Sequence, residues 1–242
     1  MARKAAALVN IEYEPLKQII TIEDAIENDS FYTGFERACS KGELNANTFI
    51  VEENLKGKEF VFEGTCRIGG QEHFYLETHG CLVIPKGEDN EMEVYSSTQN
   101  INEIQTDISY ALGVPSNRIV CKVKRIGGGF GGKESRASNL AVCTAIAAYA
   151  TQRPIRCVLD RDVDMLISGT RHPFWGAYKL RITRDGYFKA YDLKLINNAG
   201  HSVDLSRSVM ERALTHCDNV YNFPILFAHG RLAKTNIASN TA

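Results

Sequence analysis

The sequence of 242 residues has almost no net charge, no long apolar run and no closely spaced cysteines. Its 28 lysines and arginines are balanced by 29 aspartates and glutamates, which argues against a nucleic-acid partner. No apolar stretch approaches the roughly 20 residues of a membrane span, and the start, MARKAAALVNIEYEP, has too short an apolar stretch for a secretory signal. We therefore predict a soluble, intracellular, globular protein without nucleic-acid or membrane partners.

The seven cysteines are widely spread and never form a C-x-x-C pair, which argues against a disulfide framework and against a zinc or iron–sulfur site in this segment. The histidines offer no metal site either. An extended EHFYLETH strand would separate His73 from His79 by about 20 Å, too far to share an ion. The sequence thus predicts buried free thiols, a reducing compartment and no metal bound by side chains.

The order of helix and strand patterns predicts an α+β fold with mixed sheets and packed helices. Residues 16–60 resemble a connector that contains one short helix, ITIEDAIEN. Strand patterns occupy FVFEGTCRI, HFYLETHGCLVIP, EMEVYSST, RIVCKVKRI, IRCVLD and a hairpin turning at Arg184-Asp185-Gly186, with a weak strand near the end. Helix patterns occupy NINEIQTDISYALG, SRASNLAVCTAIAAYA, RDVDMLIS and DLSRSVMERALTHC.

The stretch RIGGGFGGKESR places five glycines in six residues around Phe130, between a predicted strand and a predicted helix. Residues 127–133 fit the G-x-x-x-x-G-K pattern of a phosphate-binding loop. Glu134 stands where that pattern needs a hydroxyl, however, and a carboxylate there would face the phosphates. A nucleotide-phosphate loop is therefore disfavoured.

The same glycines also fit G-x-G-x-x-G, a pattern of dinucleotide-binding folds, and Asp160 ends the following strand. Lys122 and Lys124 interrupt the preceding strand, which should be continuously apolar in such a fold. Asp160 also lies 28 residues after Gly132 (160 − 132), beyond the usual interval of about 20. A glycine-rich turn that packs tightly and binds nothing is a further alternative, so the loop by itself leaves its ligand open.

Longer motifs carry a more specific resemblance. GGQEHFYLETH, STQN, GGGFGGKESR, LDRDVDMLISGTRHPF and SVMERALTH, in this order, resemble the molybdenum-cofactor region of the xanthine dehydrogenase and aldehyde oxidase family. The resemblance runs nearly end to end. It implies that residues 1–15 end a hammerhead-like domain, that 16–60 form a connector, and that 61–242 form a first molybdopterin-binding domain truncated at its C-terminal end.

The resemblance also implies a cofactor site. In the family, molybdenum is held by molybdopterin rather than by protein side chains. Backbone at Gly128, Gly129, Phe130 and Gly131 would lie against the cofactor, and the Phe130 ring would cover the apical side of the metal. Gln99 would donate an amide hydrogen bond to a ligand of the molybdenum.

Glu134 and Arg212 match positions that contact the purine in xanthine-oxidising members of the family, so the sequence resembles xanthine dehydrogenase more closely than aldehyde oxidase. The resemblance implies a hydroxylase that oxidises hypoxanthine or xanthine to urate and passes electrons to [2Fe-2S] clusters and FAD. It further implies a homodimer in the cytoplasm, with the peroxisome as the alternative compartment. An aldehyde oxidase-type hydroxylase and a non-catalytic binding module of the same fold are the alternatives, and the fragment alone is expected to be inactive.

Overall fold

The computed structural model describes residues 2–242, in which six α-helices and nine β-strands surround two hydrophobic cores and a smaller third cluster. The helices are α1 (Ala2–Ala6), α2 (Ile22–Glu27), α3 (Ile101–Leu112), α4 (Arg136–Thr151), α5 (Arg161–Ile167) and α6 (Ser206–Thr215). The strands are β1 (Arg37–Lys41), β2 (Glu59–Ile68), β3 (Gly80–Pro85), β4 (Met92–Ser96), β5 (Ile119–Lys122), β6 (Ile155–Val158), β7 (Phe174–Thr183), β8 (Phe188–Gly200) and β9 (Ile225–Lys234). Short 3-10 turns occupy Glu53–Leu55, Glu88–Asn90 and Ser116–Arg118. None of the helices described is both long and apolar enough to cross a bilayer.

The first sheet has five strands in the order β1-β9-β8-β7-β2. Strands β8 and β9 run parallel, and every other neighbouring pair in this sheet is antiparallel. The predicted hairpin between β7 and β8 is confirmed, with Gly186 in a left-handed conformation at its turn. Helix α6 packs against β9 and buries Met210 and Leu214 in the core of this sheet.

The second sheet has four strands in the order β5-β4-β3-β6, in which only β4 and β5 are parallel. Helices α3 and α4 cover one face of it. Helix α4 buries Ala137, Ala141, Ala145 and Ala148, which recur at three- and four-residue spacing. Because these side chains are small, the helix packs closely on β3 and β4.

The predicted α+β class is confirmed, and so are the helices at 101–112 and 136–151. Three strand predictions are wrong in extent. Residues 73–79 form a loop, in which Phe74 has a left-handed φ of 47°, so the strand begins only at Gly80. Strand β5 ends at Lys122, and the weak final strand is instead the ten-residue β9 inside the five-stranded sheet.

The range 16–60, which the sequence assigns to a connector, contains β1. This strand pairs antiparallel with β9, Arg37 lying opposite Gly230, and Phe31 forms an isolated bridge with Ala233. The range therefore contributes an edge strand to the five-stranded sheet. The boundaries between the hammerhead-like end, the connector and the following domain stay a prediction.

The cysteines are less buried than the sequence predicts. All seven are free thiols in residues 2–242, but only Cys81 is buried, and Cys66 and Cys143 are exposed. Burial raises the pKa of the Cys81 thiol to about 12. The prediction of uniformly buried thiols is wrong, because Cys66 lies on an open face of β2 and Cys143 on an exposed face of α4.

Candidate functional site

The glycine-rich loop lies between β5 and α4 and is attached on both sides. On one side, Glu77 N donates to Gly127 O at 3.1 Å, and Gly127 N donates to Glu77 Oε2 at 2.8 Å. On the other side, the Gln99 side-chain oxygen accepts hydrogen bonds from Gly131 N at 3.0 Å and from Lys133 N at 3.2 Å. These contacts fix the backbone of the loop without any ligand.

Two glycines of the loop are required by the protein's own packing. A Cβ on Gly129 would collide with the Gln99 amide, and a Cβ on Gly131 would collide with Ala242. Gly131 also has a φ of +90°, which side chains rarely adopt. The tightly packed turn therefore accounts for glycine at these two positions, and glycine spacing alone does not identify a ligand.

Phe130 is the exception in the loop. It has a left-handed φ of 52°, and 67% of its side chain is exposed, although its neighbours Gly129 and Gly131 are buried. The left-handed backbone is strained, and exposure of a large apolar ring to water is unfavourable. Residues with such unfavourable features cluster at ligand sites. Phe130 is thus the loop residue whose placement points to a bound group.

A fully buried lysine supports the base of the loop. The Lys133 ammonium lies 2.7 Å from Ser97 Oγ, 3.2 Å from Glu77 Oε2 and 4.6 Å from the centroid of the Tyr75 ring. Burial lowers the pKa of Lys133, since the charged form is poorly solvated there. Burial would raise the pKa of Glu77, but hydrogen bonds from Gly127 N, Ser97 and Lys133 lower it overall.

A second buried charge lies behind the first. Asp164 accepts hydrogen bonds from Tyr75 Oη at 2.6 Å and from His79 N at 2.7 Å, and His79 Nε2 lies 3.1 Å from Gly132 O. Burial would raise the pKa of Asp164, but the hydrogen bonds from His79 and Tyr75 hold it well below its usual value. The imidazole of His79 thus links this carboxylate to the glycine-rich loop.

The separation expected for His73 and His79 is wrong. Because residues 73–79 form a loop, both rings contact Tyr75, with centroids 6.3 Å and 5.4 Å from the tyrosine ring. His73 Nε2 lies 3.0 Å from Thr241 O, and burial lowers the pKa of His73. Across residues 2–242, no group of three or more histidines, cysteines, aspartates or glutamates is arranged to hold a metal ion.

Four of the seven predicted site residues line one cavity of about 400 Å³ next to the loop. Glu134 enters it from the residue that precedes the α4 N-cap, and Arg212 enters it from α6. Within the described chain, neither side chain has an ion-pair or hydrogen-bond partner, so both charges are available to a ligand. The complete lining is Phe130, Gly131, Glu134, Leu205, Ser208, Val209, Arg212 and Ala242.

The other three predicted residues, Gln99, Gly128 and Gly129, belong to or contact the loop but do not line this cavity. Gly129 packs on Gln99, and a Cβ on Gly128 would meet the Phe130 ring at 3.0 Å. The carbonyl oxygen of the Gln99 amide is used by the loop backbone, and its Nε2 donates to no group in residues 2–242. The roles of all seven residues stay a prediction, although the structure gathers them around one loop.

The topology excludes the dinucleotide interpretation of the glycines. Strand β5 is an edge strand, and β3 runs antiparallel to both of its neighbours. A doubly wound dinucleotide fold instead places the glycine-rich turn after a central strand of a mainly parallel sheet.

Comparison with protein families gives a match between residues 36–242 and the model of the molybdopterin cofactor-binding domain. The chain belongs to the molybdopterin cofactor-binding domain family. The resemblance to xanthine dehydrogenases and aldehyde oxidases is confirmed by individual relatives. A xanthine dehydrogenase/oxidase from Gallus gallus is 52% identical over 241 residues, which cover 100% of this chain and 17% of that protein. A xanthine dehydrogenase from Drosophila pseudoobscura pseudoobscura is 49% identical over 243 residues, covering 100% of this chain and 18% of that protein.

Solved structures agree on the fold. An aldehyde oxidoreductase from Desulfovibrio desulfuricans superposes with a TM-score of 0.88 at 22% identity, over 100% of this chain and 27% of that chain. The aldehyde oxidoreductase from Desulfovibrio gigas gives a TM-score of 0.86 at 24% identity, over 100% and 26%. The molybdopterin-domain fold thus extends to distant relatives, while the chain spans under a fifth of the length of the xanthine dehydrogenases it matches.

The residues around the loop fit molybdopterin. The free Nε2 donor of Gln99 suits an oxygen of the cofactor, and the exposed Phe130 ring offers a flat apolar surface beside it. Gln99 and Phe130 would therefore hold one end of the cofactor, and the loop backbone would set its depth.

Sequence reasoning missed the buried network that supports the loop, namely Tyr75, Glu77, His79, Lys133 and Asp164. One signal was present: a lysine directly after five glycines must either reach solvent or find a carboxylate. The wide spacing in sequence between Glu77 and Lys133 hides their contact, and the strand pattern predicted for residues 73–79 hides the loop that brings them together.

Proposed function

We propose that this chain is part of a molybdenum hydroxylase of the xanthine dehydrogenase type, which oxidises hypoxanthine and xanthine to urate. The observation that carries the proposal is the single cavity that contains unpaired Glu134 and Arg212 beside Phe130. Relatives named xanthine dehydrogenase, at 48–52% identity over the whole chain, support the purine substrate.

The two charged residues suit a flat heterocycle with hydrogen-bonding edges. The Glu134 carboxylate accepts a hydrogen bond from a ring N–H, and the Arg212 guanidinium donates to a carbonyl oxygen of the purine. Arg212 also stabilises the negative charge that builds on the ring during oxidation. Its guanidinium therefore stabilises the transition state more than the bound substrate. Leu205 and Val209 line the same cavity and offer apolar surface to the face of the ring.

Molybdopterin, when bound, supplies the metal centre at which the purine carbon is oxidised. The chain's own residues orient that centre: Gln99 donates its free amide hydrogen bond, and Phe130 limits access from one side. Gly131 O accepts a hydrogen bond from Thr241 Oγ1 at 3.3 Å, which ties the loop backbone to the segment beside the cavity.

The remaining parts of the enzyme belong to the same proposal. Electrons leave through [2Fe-2S] clusters and FAD on segments outside residues 1–242, with NAD or oxygen as the final acceptor, in a cytoplasmic homodimer active in purine catabolism. The support for these features is the family resemblance and the fact that the chain spans 17–18% of its xanthine dehydrogenase relatives.

The test is substrate choice in the complete enzyme, with Glu134→Val and Arg212→Met made separately. Losing a charged hydrogen-bond partner of the transition state costs about 2–4 kcal/mol of stabilisation, or roughly 30- to 1000-fold in kcat/KM. We expect xanthine turnover to fall by this factor and benzaldehyde turnover to fall far less, since benzaldehyde lacks the ring N–H and the purine carbonyl. For Arg212→Met the loss should appear mainly in kcat.

Both activities are normalised to bound molybdenum. Arg207→Gln is the matched control, because Arg207 lies on the same helix and pairs with Glu211 outside the cavity. Unchanged xanthine turnover in both variants, or a parallel loss of both activities at full molybdenum loading, contradicts the proposed roles.

A further inference from the structure

An ion pair joins the two elements that carry Glu134 and Arg212. Arg136, the first residue of α4, places Nη2 2.9 Å from Oδ2 of Asp204, which lies two residues before α6. The side chains are only 13% and 9% exposed. Because a pair so shielded from water is weakened little by salt, it can hold the two helix starts at a fixed distance.

Ser135 adds a hydrogen bond to the contact between Arg136 and Asp204, which we call the junction, and leaves helix α4 without a side-chain cap. A serine at an N-cap ordinarily accepts a hydrogen bond from the backbone of the first turn. Ser135 is the N-cap of α4 and makes no such bond; its hydroxyl instead donates to Asp204 Oδ2 at 2.8 Å. The capping interaction is thus replaced by a contact between the two helices.

Asp204 is itself held in an unusual conformation. Its φ is 40°, in the left-handed region that is unfavourable for a residue with a side chain. The Leu205 that follows is the N-cap of α6 and makes no side-chain capping bond. Asp204 thus joins the start of α6 to Ser135 and Arg136. Ser206 separately joins it to His172 Nε2 at 2.7 Å and to Asn197 Nδ2 at 3.2 Å.

Both ends of this junction adjoin the substrate cavity. Glu134 immediately precedes Ser135, and Leu205 immediately follows Asp204; both line the cavity. Arg212 lies six residues after the first residue of α6, about 9 Å along the helix axis at 1.5 Å per residue. A tilt of α6 about its start therefore moves Arg212 relative to Glu134.

We propose that the Arg136–Asp204 ion pair, with Ser135, sets the separation of Glu134 and Arg212 and so determines purine specificity without touching substrate. Arg136 and Asp204 are positioning residues in this view, and the inference rests on the proposed function. A misplacement of about 1 Å in a site that needs two simultaneous contacts can cost up to about 100-fold in rate. Substrates that use neither Glu134 nor Arg212 are insensitive to this separation.

The test uses the complete, molybdenum-loaded enzyme with Asp204→Asn, which removes the charge and tolerates the left-handed conformation. We expect kcat/KM for xanthine to fall about 10- to 100-fold, while that for benzaldehyde changes less than threefold. Equilibrium binding of a non-oxidisable purine analogue should weaken by about tenfold. Arg136→Met should reproduce this pattern and Arg136→Lys should largely restore it, because lysine keeps the positive charge.

A double variant separates positioning from general structure. If the ion pair acts through Arg212, adding Asp204→Asn to Arg212→Met causes little further loss of xanthine turnover. A fully additive loss, a parallel loss of both substrates with a lower melting temperature, or unchanged xanthine kinetics in Asp204→Asn each overturns the inference.

The two proposals fail differently. If Arg212→Met and Glu134→Val impair xanthine turnover but Asp204→Asn does not, only the positioning role is lost. If Arg212→Met and Glu134→Val leave xanthine turnover intact, the proposed function is wrong, and the positioning role is overturned with it.

Discussion

The buried pair of Lys133 and Glu77 should respond very differently to loss of one partner or the other. Lys133 is completely buried, whereas 44% of the Glu77 side chain is exposed. Glu77→Gln removes the carboxylate charge and leaves the buried ammonium with Ser97, the Tyr75 ring and a neutral amide oxygen. Breaking a fully buried pair in this way costs about 3–5 kcal/mol, and we reduce this to about 2–4 kcal/mol because water reaches Glu77.

Lys133→Met should be milder, although it removes the same ion pair. Methionine fills a similar volume and needs no solvation, while Glu77 keeps its hydrogen bonds from Ser97 and Gly127 and its exposed edge. We expect a loss of about 1 kcal/mol in the free energy of unfolding. Adding Glu77→Gln to Lys133→Met should lower the free energy of unfolding little further. The double-mutant cycle then gives an interaction energy of about 1–3 kcal/mol between the two side chains.

The direction in which stability changes with pH is an independent test. Burial already lowers the pKa of Lys133, and loss of the Glu77 charge lowers it further. Between the native and unfolded pKa values the unfolded chain binds more protons, so stability rises with pH there. Glu77→Gln should therefore be less destabilising at pH 9 than at pH 7, because the pKa of Lys133 is lowered from 10.5 and the higher pH favours its neutral form.

Urea denaturation followed by circular dichroism measures these differences at both pH values. Glu53→Gln is the control, because Glu53 forms a solvent-exposed pair with Lys56 whose loss should leave the midpoint unchanged. A Lys133→Met variant less stable than Glu77→Gln, or a destabilisation by Glu77→Gln that is independent of pH, refutes the reasoning.

Two further predictions concern the loop and a buried histidine. Gly129→Ala should displace the Gln99 amide and lower the free energy of unfolding by about 1–3 kcal/mol. Gly69→Ala should not, because a Cβ there meets no atom within 4 Å. An unmoved Gln99 side-chain NMR signal in Gly129→Ala contradicts this prediction. Burial lowers the pKa of His172 from 6.5, so the unfolded chain takes up the proton first and stability falls as pH drops below about 6.5. His172→Gln should flatten that slope in denaturation at pH 5–7, and an identical slope refutes the assignment.

The sequence predicts local elements well where periodicity and capping agree. Helix α3 begins after Asn100, whose side chain accepts from Glu103 N, and ends before Gly113, as its pattern indicates. The strand predicted for residues 73–79 is wrong for a physical reason. Their aromatic side chains favour a strand, but hydrogen bonds to Asp164 hold Tyr75 and His79 in a loop. That partner is far away in sequence, so no local pattern reveals it.

Some residues of the candidate site can be predicted from sequence motifs, and others only from the fold. The family resemblance implies Gln99, Phe130 and Glu134 as site residues, and all three belong to or contact the glycine-rich segment 127–134. Contacts that rely on tertiary structure, such as Arg136 with Asp204, leave no trace in spacing or composition. The polar network beneath the loop could therefore be found only from the fold.

The order of strands in the two sheets implies an order of events during synthesis. The four-stranded sheet is complete once residue 158 has emerged, and it is inserted between β2 and β7 of the other sheet. The five-stranded sheet must wait for β9, which pairs with β1 from nearly 190 residues earlier in the chain. Glu134 precedes α4, which covers the early sheet, and Arg212 lies on α6, which packs on the late one, so the cavity can form only after the second sheet has begun to emerge.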